Sequence, residues 1–193
     1  MNPREQPPGA GSAKWAAPGI LLLMTLAYFH RVVLRMGLLG PSDDAYTWHM
    51  HIKAFAARAL RGGELPLWNP GIFGGTPFLA TMQPAILYPS IVLYMVLPTA
   101  AALNVDYMLH VFLTGVFMFL LLRDLGLGRA ACLAGAVVWA FNGTALAQFR
   151  LGHLAQLCAY ALSPLVLLYA RRTLQRGAPA AAGLLALATG LQF

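Results

Sequence analysis

The chain has 193 residues, of which 59% are hydrophobic and only 10% charged, with a formal net charge of +7. A water-soluble domain carries about a quarter charged residues, so this composition excludes an ordinary soluble globule and points to a polytopic membrane protein. The positive charge does not indicate a nucleic-acid partner, because the basic residues sit at the ends of apolar runs rather than clustered among aromatics.

Residues 1–14 are rich in Pro and Gly and are expected to form a disordered tail. Residues 15 to about 39 are long enough for a first crossing, with Lys14 and Trp15 as an interfacial anchor. The run is too long for a signal peptide and has no small-residue cleavage site before a soluble domain. Arg31 and Arg35, one turn apart near its far end, either snorkel to the interface or clamp a lipid phosphate.

Ser42-Asp43-Asp44 reads as the start of a second helix, with Ser42 as N-cap and acids suited to the helix dipole. Trp48, Ile52, Phe55, Ala56 and Ala59 then recur at helical spacing, Lys53, Arg58 and Arg61 fall elsewhere on the wheel, and Gly62-Gly63 ends the run. This predicts an amphipathic helix lying on the membrane surface. The stretch that follows is irregular by its Pro and Gly content. Residues 84–98 are apolar but short of the roughly 20 residues a crossing needs, which predicts a re-entrant segment. Residues 105–122, 130–149 and 154–170 are spanning candidates, and residues 178–193 begin another that stops mid-run. Residues 15–193 therefore read as the N-terminal part of a longer membrane domain.

Arg123 and Arg129 form one basic loop, and Arg171, Arg172 and Arg176 a second, separated by two crossings and hence on one side. Positive-inside places that side in the cytoplasm. Counting back, the N-terminus is cytoplasmic and residues 41–98 form an extracytoplasmic loop carrying the surface helix and the re-entrant segment.

Within that loop the chain reads G-x-L-P-L-W-N-P at residues 63–70, GG-x-P-F at 74–78, then Gln83 and Tyr88-Pro89. Further on come LLLRDLGLGRAA at 120–131, FNGTALAQFRLGHLAQL at 141–157 and LSPLVLL at 162–168. This combination resembles the YfhO family of bacterial membrane proteins, whose architecture is similar to that of GT-C glycosyltransferases. The likeness covers residues 41–172 and departs at His51-Ile52-Lys53, where the family has a proline. It implies an all-α, polytopic transmembrane bundle in the bacterial plasma membrane, in contact with membrane lipid. It also implies transfer of a sugar from a polyprenyl-phosphate donor to an extracytoplasmic acceptor such as a cell-envelope polymer. In such enzymes an acid just past the first helix acts as catalytic base or ligates a divalent metal, Mg or Mn. Asp43 and Asp44 occupy that place, with the register open between them.

A carboxylate at the membrane face can take the proton of an attacking hydroxyl, and the bland alternative is a pair of first-turn helix acids. Arg150 and His153 lie on the same side as Asp44, where Arg150 is either a donor-phosphate contact or a solvated loop charge. Trp68 and Asn69 are candidates for sugar contact, Gln83 joins them, and Glu64 is either a further contact or a loop charge. His49 and His51, two residues apart, point in different directions and read as interfacial. Asp106 and His110, one turn apart near the outer end of a span, are either functional or a mutually satisfying pair. Cys132 and Cys158 fall in apolar runs and read as inert core. No CxxC pattern, phosphate-cradling Gly loop or nucleophile elbow is present. The alternative from another class is a non-enzymatic transporter or flippase half, or an assembly partner, which needs polar groups near the bilayer midplane.

Overall fold

The computed structural model describes residues 12–35, 44–177 and 179–192. Ser42 and Asp43, and with them the expected N-cap and one of the two catalytic acids, lie outside the described residues, as do the side chains of Lys14, Trp15, Arg35 and Arg176. The described chain is helical almost throughout: α1 (Ser12–Tyr28), α2 (His30–Arg35), α3 (Met50–Arg61), α4 (Ile91–Val96), α5 (Thr99–Asp124), α6 (Arg129–Ala140), α7 (Gly143–Leu151), α8 (Leu154–Arg176) and α9 (Pro179–Gly190). Three helices are long and apolar enough to cross a membrane, Thr99–Asp124, Arg129–Gln148 and Leu154–Gln175, matching the three central expected spans.

The first span is not the continuous helix that its composition predicts. It begins at Ser12 and breaks at Phe29, where Val32 N–H turns back to the Phe29 carbonyl at 2.9 Å. Thr25 Oγ1 also donates to the Leu21 carbonyl at 2.8 Å, a back-bond that competes with the helical ladder and favours bending. The break lets Phe29, 3% exposed, enter the main apolar core.

Helix α5 is the axis of the bundle, packed against α1, α6 and α8, and α9 lies on α8. Asp124, at the end of α5, accepts hydrogen bonds from Arg171 Nη1 and from Arg172 Nε at 2.9 Å. The α5 and α8 C-termini therefore meet at one end, where α6 also starts and Arg123 caps the Leu127 carbonyl at 2.9 Å. The two basic loops share that end, as positive-charge patterning predicts.

At the opposite end residues 44–98 fold back over the bundle. A single π-helical turn, Ala45–His49, leads into α3, which packs on α4 and α5. The inward face of α3 is Ile52, Lys53, Ala56 and Ala57; of the expected stripe Ile52 and Ala56 are buried, Trp48 and Phe55 pack against the core and Ala59 is half-buried, while Lys53, expected elsewhere on the wheel, lies inside. Ala56 and Ala57 are small enough to let α3 approach its neighbours closely, and that rotation carries Lys53 inside, 3% exposed. Arg61 does not face solvent freely either: its Nε and Nη2 donate to the Met95 and Tyr94 carbonyls at 2.8 and 2.5 Å. Helix α4 has six residues, about 9 Å of rise, too short to cross and in keeping with a re-entrant segment.

The stretch expected to be irregular contains a small hairpin, β1 (Trp68–Asn69) with β2 (Thr76–Pro77), antiparallel and paired Trp68 to Pro77. Gly74 and Gly75 turn it with φ of +74° and +117°. A Cβ on Gly75 would stand 2.6 Å from Trp68 Cζ2, whereas one on Gly74 would meet nothing within 4 Å. Both positions favour glycine by conformation, and Gly75 by space as well. Gly75→Ala is expected to lower stability by about 1–3 kcal/mol, and Gly74→Ala by about 1 kcal/mol. Thermal unfolding in detergent checks the order; equal midpoints for the two variants would show that the indole does not rest on the turn.

Candidate functional site

The end of the bundle away from the arginines carries the polar groups. Asp44 precedes the π-helical turn with its side chain 57% exposed, and its Oδ2 lies 3.4 Å from His153 Nε2. His153 is positioned by the sharp turn between α7 and α8, and its Nδ1 stands 3.2 Å from Gln148 Oε1. The fold thus joins two candidates that are 109 positions apart in the chain.

Beside this pair is a cavity of about 170 Å3 between α3, the 79–90 segment and the start of α8. Its wall is mostly apolar, with His49, Lys53, Gln83, Tyr88, Ser90, Cys158 and Gln192 as the side chains that can hydrogen-bond or ionise. His49 lines it and feels the charges of both Asp44 and His153, while Leu154, next to His153, lines it too. Two of its wall residues, Met82 and Ala85, hold left-handed backbone with φ of 57° and 47°. Such strain costs on the order of 1–3 kcal/mol per residue and tends to persist where a ligand surface is shaped. Between them, Gln83 Oε1 accepts from Trp48 Nε1 at 2.6 Å, and Gln83 also lines a second hollow of about 200 Å3.

Under the cavity floor the loop is pegged to α5 through one carboxylate. Asp106, 0% exposed, accepts from Ser90 Oγ and from the Tyr94 hydroxyl, each at 2.9 Å on Oδ2. His110 Nδ1 donates to the Asp106 main-chain carbonyl at 2.8 Å, and the Tyr88 hydroxyl meets His110 Nε2 at 2.8 Å. Lys53 Nζ lies 5.1 Å from the Tyr94 ring centre. Burial lowers the Lys53 pKa below the usual lysine value, and the Asp106 charge opposes that shift. The pairing of Asp106 with His110 was legible from their spacing; their further partners were not.

The remaining sequence candidates stand apart from the cavity. Trp68 is exposed over Gly75, and the Asn69 side chain is buried with Oδ1 accepting from the Gly71 amide at 2.9 Å, so Asn69 shapes the hairpin. Glu64 is exposed just after α3. Arg150 is exposed in the last turn of α7 and makes no ion pair among the described residues. Asp43 lies outside the described residues. Sequence reasoning missed Lys53, because the apolar stripe of α3 pointed elsewhere, and Cys158, because nothing in an apolar run marks its partner on another helix.

Among the described residues the group able to hold a metal is Asp106, His110 and Cys158, not one that includes Asp44. Comparison with protein-family models, with curated proteins and with solved structures finds no match to the chain.

His49 gives the site a pH signature. Burial first, then Lys53 and His153, lower its pKa below the usual 6.5, with Asp44 opposing. The unfolded chain takes up a proton near pH 6.5 and the folded chain only below that, so stability rises with pH across this window and falls as pH drops through it. Unfolding midpoints in detergent at pH 7.5 and 5.0 should differ more for the native chain than for His49→Gln. An unchanged difference would remove His49 from the buried set.

Proposed function

We propose that this chain is a membrane transferase similar to the YfhO family and to GT-C enzymes, acting on a polyprenyl-phosphate-linked sugar at the outer face of a bacterial plasma membrane. The observation that carries this reading is the Asp44–His153 contact, whose neighbours His49 and Leu154 line an apolar-walled cavity at the end remote from the arginine clusters. Positive-inside orientation turns the arginine end to the cytoplasm and the cavity end outward, where a lipid-linked donor presents its sugar. The apolar wall suits the first isoprene units of such a donor, and Lys53 and His49 bring polar groups toward its phosphate.

In this reading Asp44 takes the proton of the acceptor hydroxyl as that oxygen attacks the anomeric carbon, the bond from that carbon to the phosphate oxygen breaks, polyprenyl phosphate leaves, and His153 holds the carboxylate in place. Mg2+ and Mn2+ favour several oxygen ligands. The described groups near Asp44 are the imidazoles of His49 and His153, which fit such an ion poorly. No step is therefore routed through a metal at this position. Contacts from Arg150, Trp68 and Glu64 would require a bound substrate extending well beyond the cavity.

The non-enzymatic alternative draws on the buried Asp106 network. That network lies seven residues into α5, about 10 Å from its start, and so near one end of the span rather than at its middle. This position favours a site at the membrane face over a conduction path.

Asp44→Asn in the full-length protein should reduce sugar transfer in membrane vesicles by about 100-fold or more. The amount of protein in the membrane should be unchanged, because the Asp44 side chain is exposed. Normal transfer by Asp44→Asn, and by a variant that also carries Asp43→Asn, would overturn the assignment.

A further inference from the structure

The buried network holds more ligating chemistry than a structural peg requires. Asp106 and His110 are four residues apart on α5 and so share a face, and Cys158 approaches them from α8. A carboxylate oxygen, an imidazole nitrogen and the Cys158 sulfur all lie within 4.8 Å of one another. Asp106 Oδ1 is a second and independent sign. It is fully buried, and although it stands 3.0 Å from His110 Nδ1, it has no hydrogen-bond partner. With the Nδ1 hydrogen directed at the Asp106 main-chain carbonyl, this oxygen receives at best a bent share of it. A buried carboxylate oxygen left in this way costs several kcal/mol unless a cation meets it.

We propose that Asp106, His110 and Cys158 form a site for a borderline-soft divalent cation, Zn2+ above all, with its remaining coordination position open to the cavity. The donor set of one sulfur, one nitrogen and one oxygen selects Zn2+ over Mg2+ or Ca2+, which take oxygen almost alone. Charge balance points the same way. One carboxylate and one thiolate offset a dication, leaving a neutral centre where the dielectric is low, and binding releases the Cys158 thiol proton. Around the site, the Nδ1–H bond to a carbonyl leaves the lone pair on His110 Nε2, and Ser90 and Tyr94 hold the second carboxylate oxygen. Such outer bonds commonly orient metal ligands. Ligand atoms in a tetrahedral zinc site stand about 3.5 Å apart. The three side chains therefore close in by about 1 Å on binding, while the Tyr88 hydroxyl gives up Nε2. Cys158, Tyr88 and Ser90 line the cavity, which provides the route in.

The site stands independently of sugar transfer, and its test reads the metal alone. The full chain, purified in detergent and stripped with a chelator, should bind one equivalent of Zn2+ or Co2+. The Co2+ form should show a thiolate-to-metal charge-transfer band and the strong visible bands of a tetrahedral ion. Cys158→Ser should abolish the charge-transfer band and Cys132→Ser should retain it. Asp106→Asn should weaken binding by more than about tenfold. X-ray absorption at the zinc edge of the native chain needs no variant, so a misfolded substitution does not blunt the test. One sulfur among lighter neighbours supports the site, and a shell with no sulfur, or no stoichiometric binding, overturns it. Loss of transfer in Asp44→Asn with the cobalt bands intact would separate the two sites.

Discussion

The buried carboxylate of Asp106 is the point on which the cavity end is built. A lone ionised carboxylate in an apolar bundle costs several kcal/mol, so it persists only with partners. Two of them, Ser90 and Tyr94, come from the segment that folds back from the membrane face, and His110 comes from one turn further along α5. The charge thereby fixes where residues 88–94 sit on the span. Helix α3 packs on that segment, and Lys53 reaches over the Tyr94 ring toward the same carboxylate. The cavity is the space left beneath α3 once those bonds are made.

A second cluster gives the molecule its polarity. Asp124 gathers Arg171 and Arg172 at the opposite end of the same two helices that frame the Asp106 network. Helix α5 is thus tied near both ends by acids, Asp124 to arginines of α8 and Asp106 to hydroxyls of the segment that folds back over it. The apolar length between the ties belongs in lipid.

Much of this was legible in the sequence, and the limits were physical. Apolar length and the placement of arginines gave the three central spans and their shared basic end. Glycine pairs and prolines marked the end of α3 and the turn of the WNP hairpin, because left-handed backbone leaves a local trace. Side-chain periodicity was less decisive for α3. It showed a helix, but the inward face was chosen by how closely Ala56 and Ala57 let the backbone approach, which a hydrophobicity stripe does not record. Long-range pairs were silent as well. Asp106 and His110 could be matched on one helix, yet Cys158 on α8 and Ser90 just before α4 are brought to them only by the packed fold.

Arg61 adds a mechanical constraint. By gripping the last carbonyls of the α4 region, its guanidinium couples the roof helix to the short helix below it, so the two travel together. Lifting α3 off the bundle would therefore carry the short helix with it or break both bonds, and lifting the pair would also strain the hydroxyls of Ser90 and Tyr94 on the buried acid.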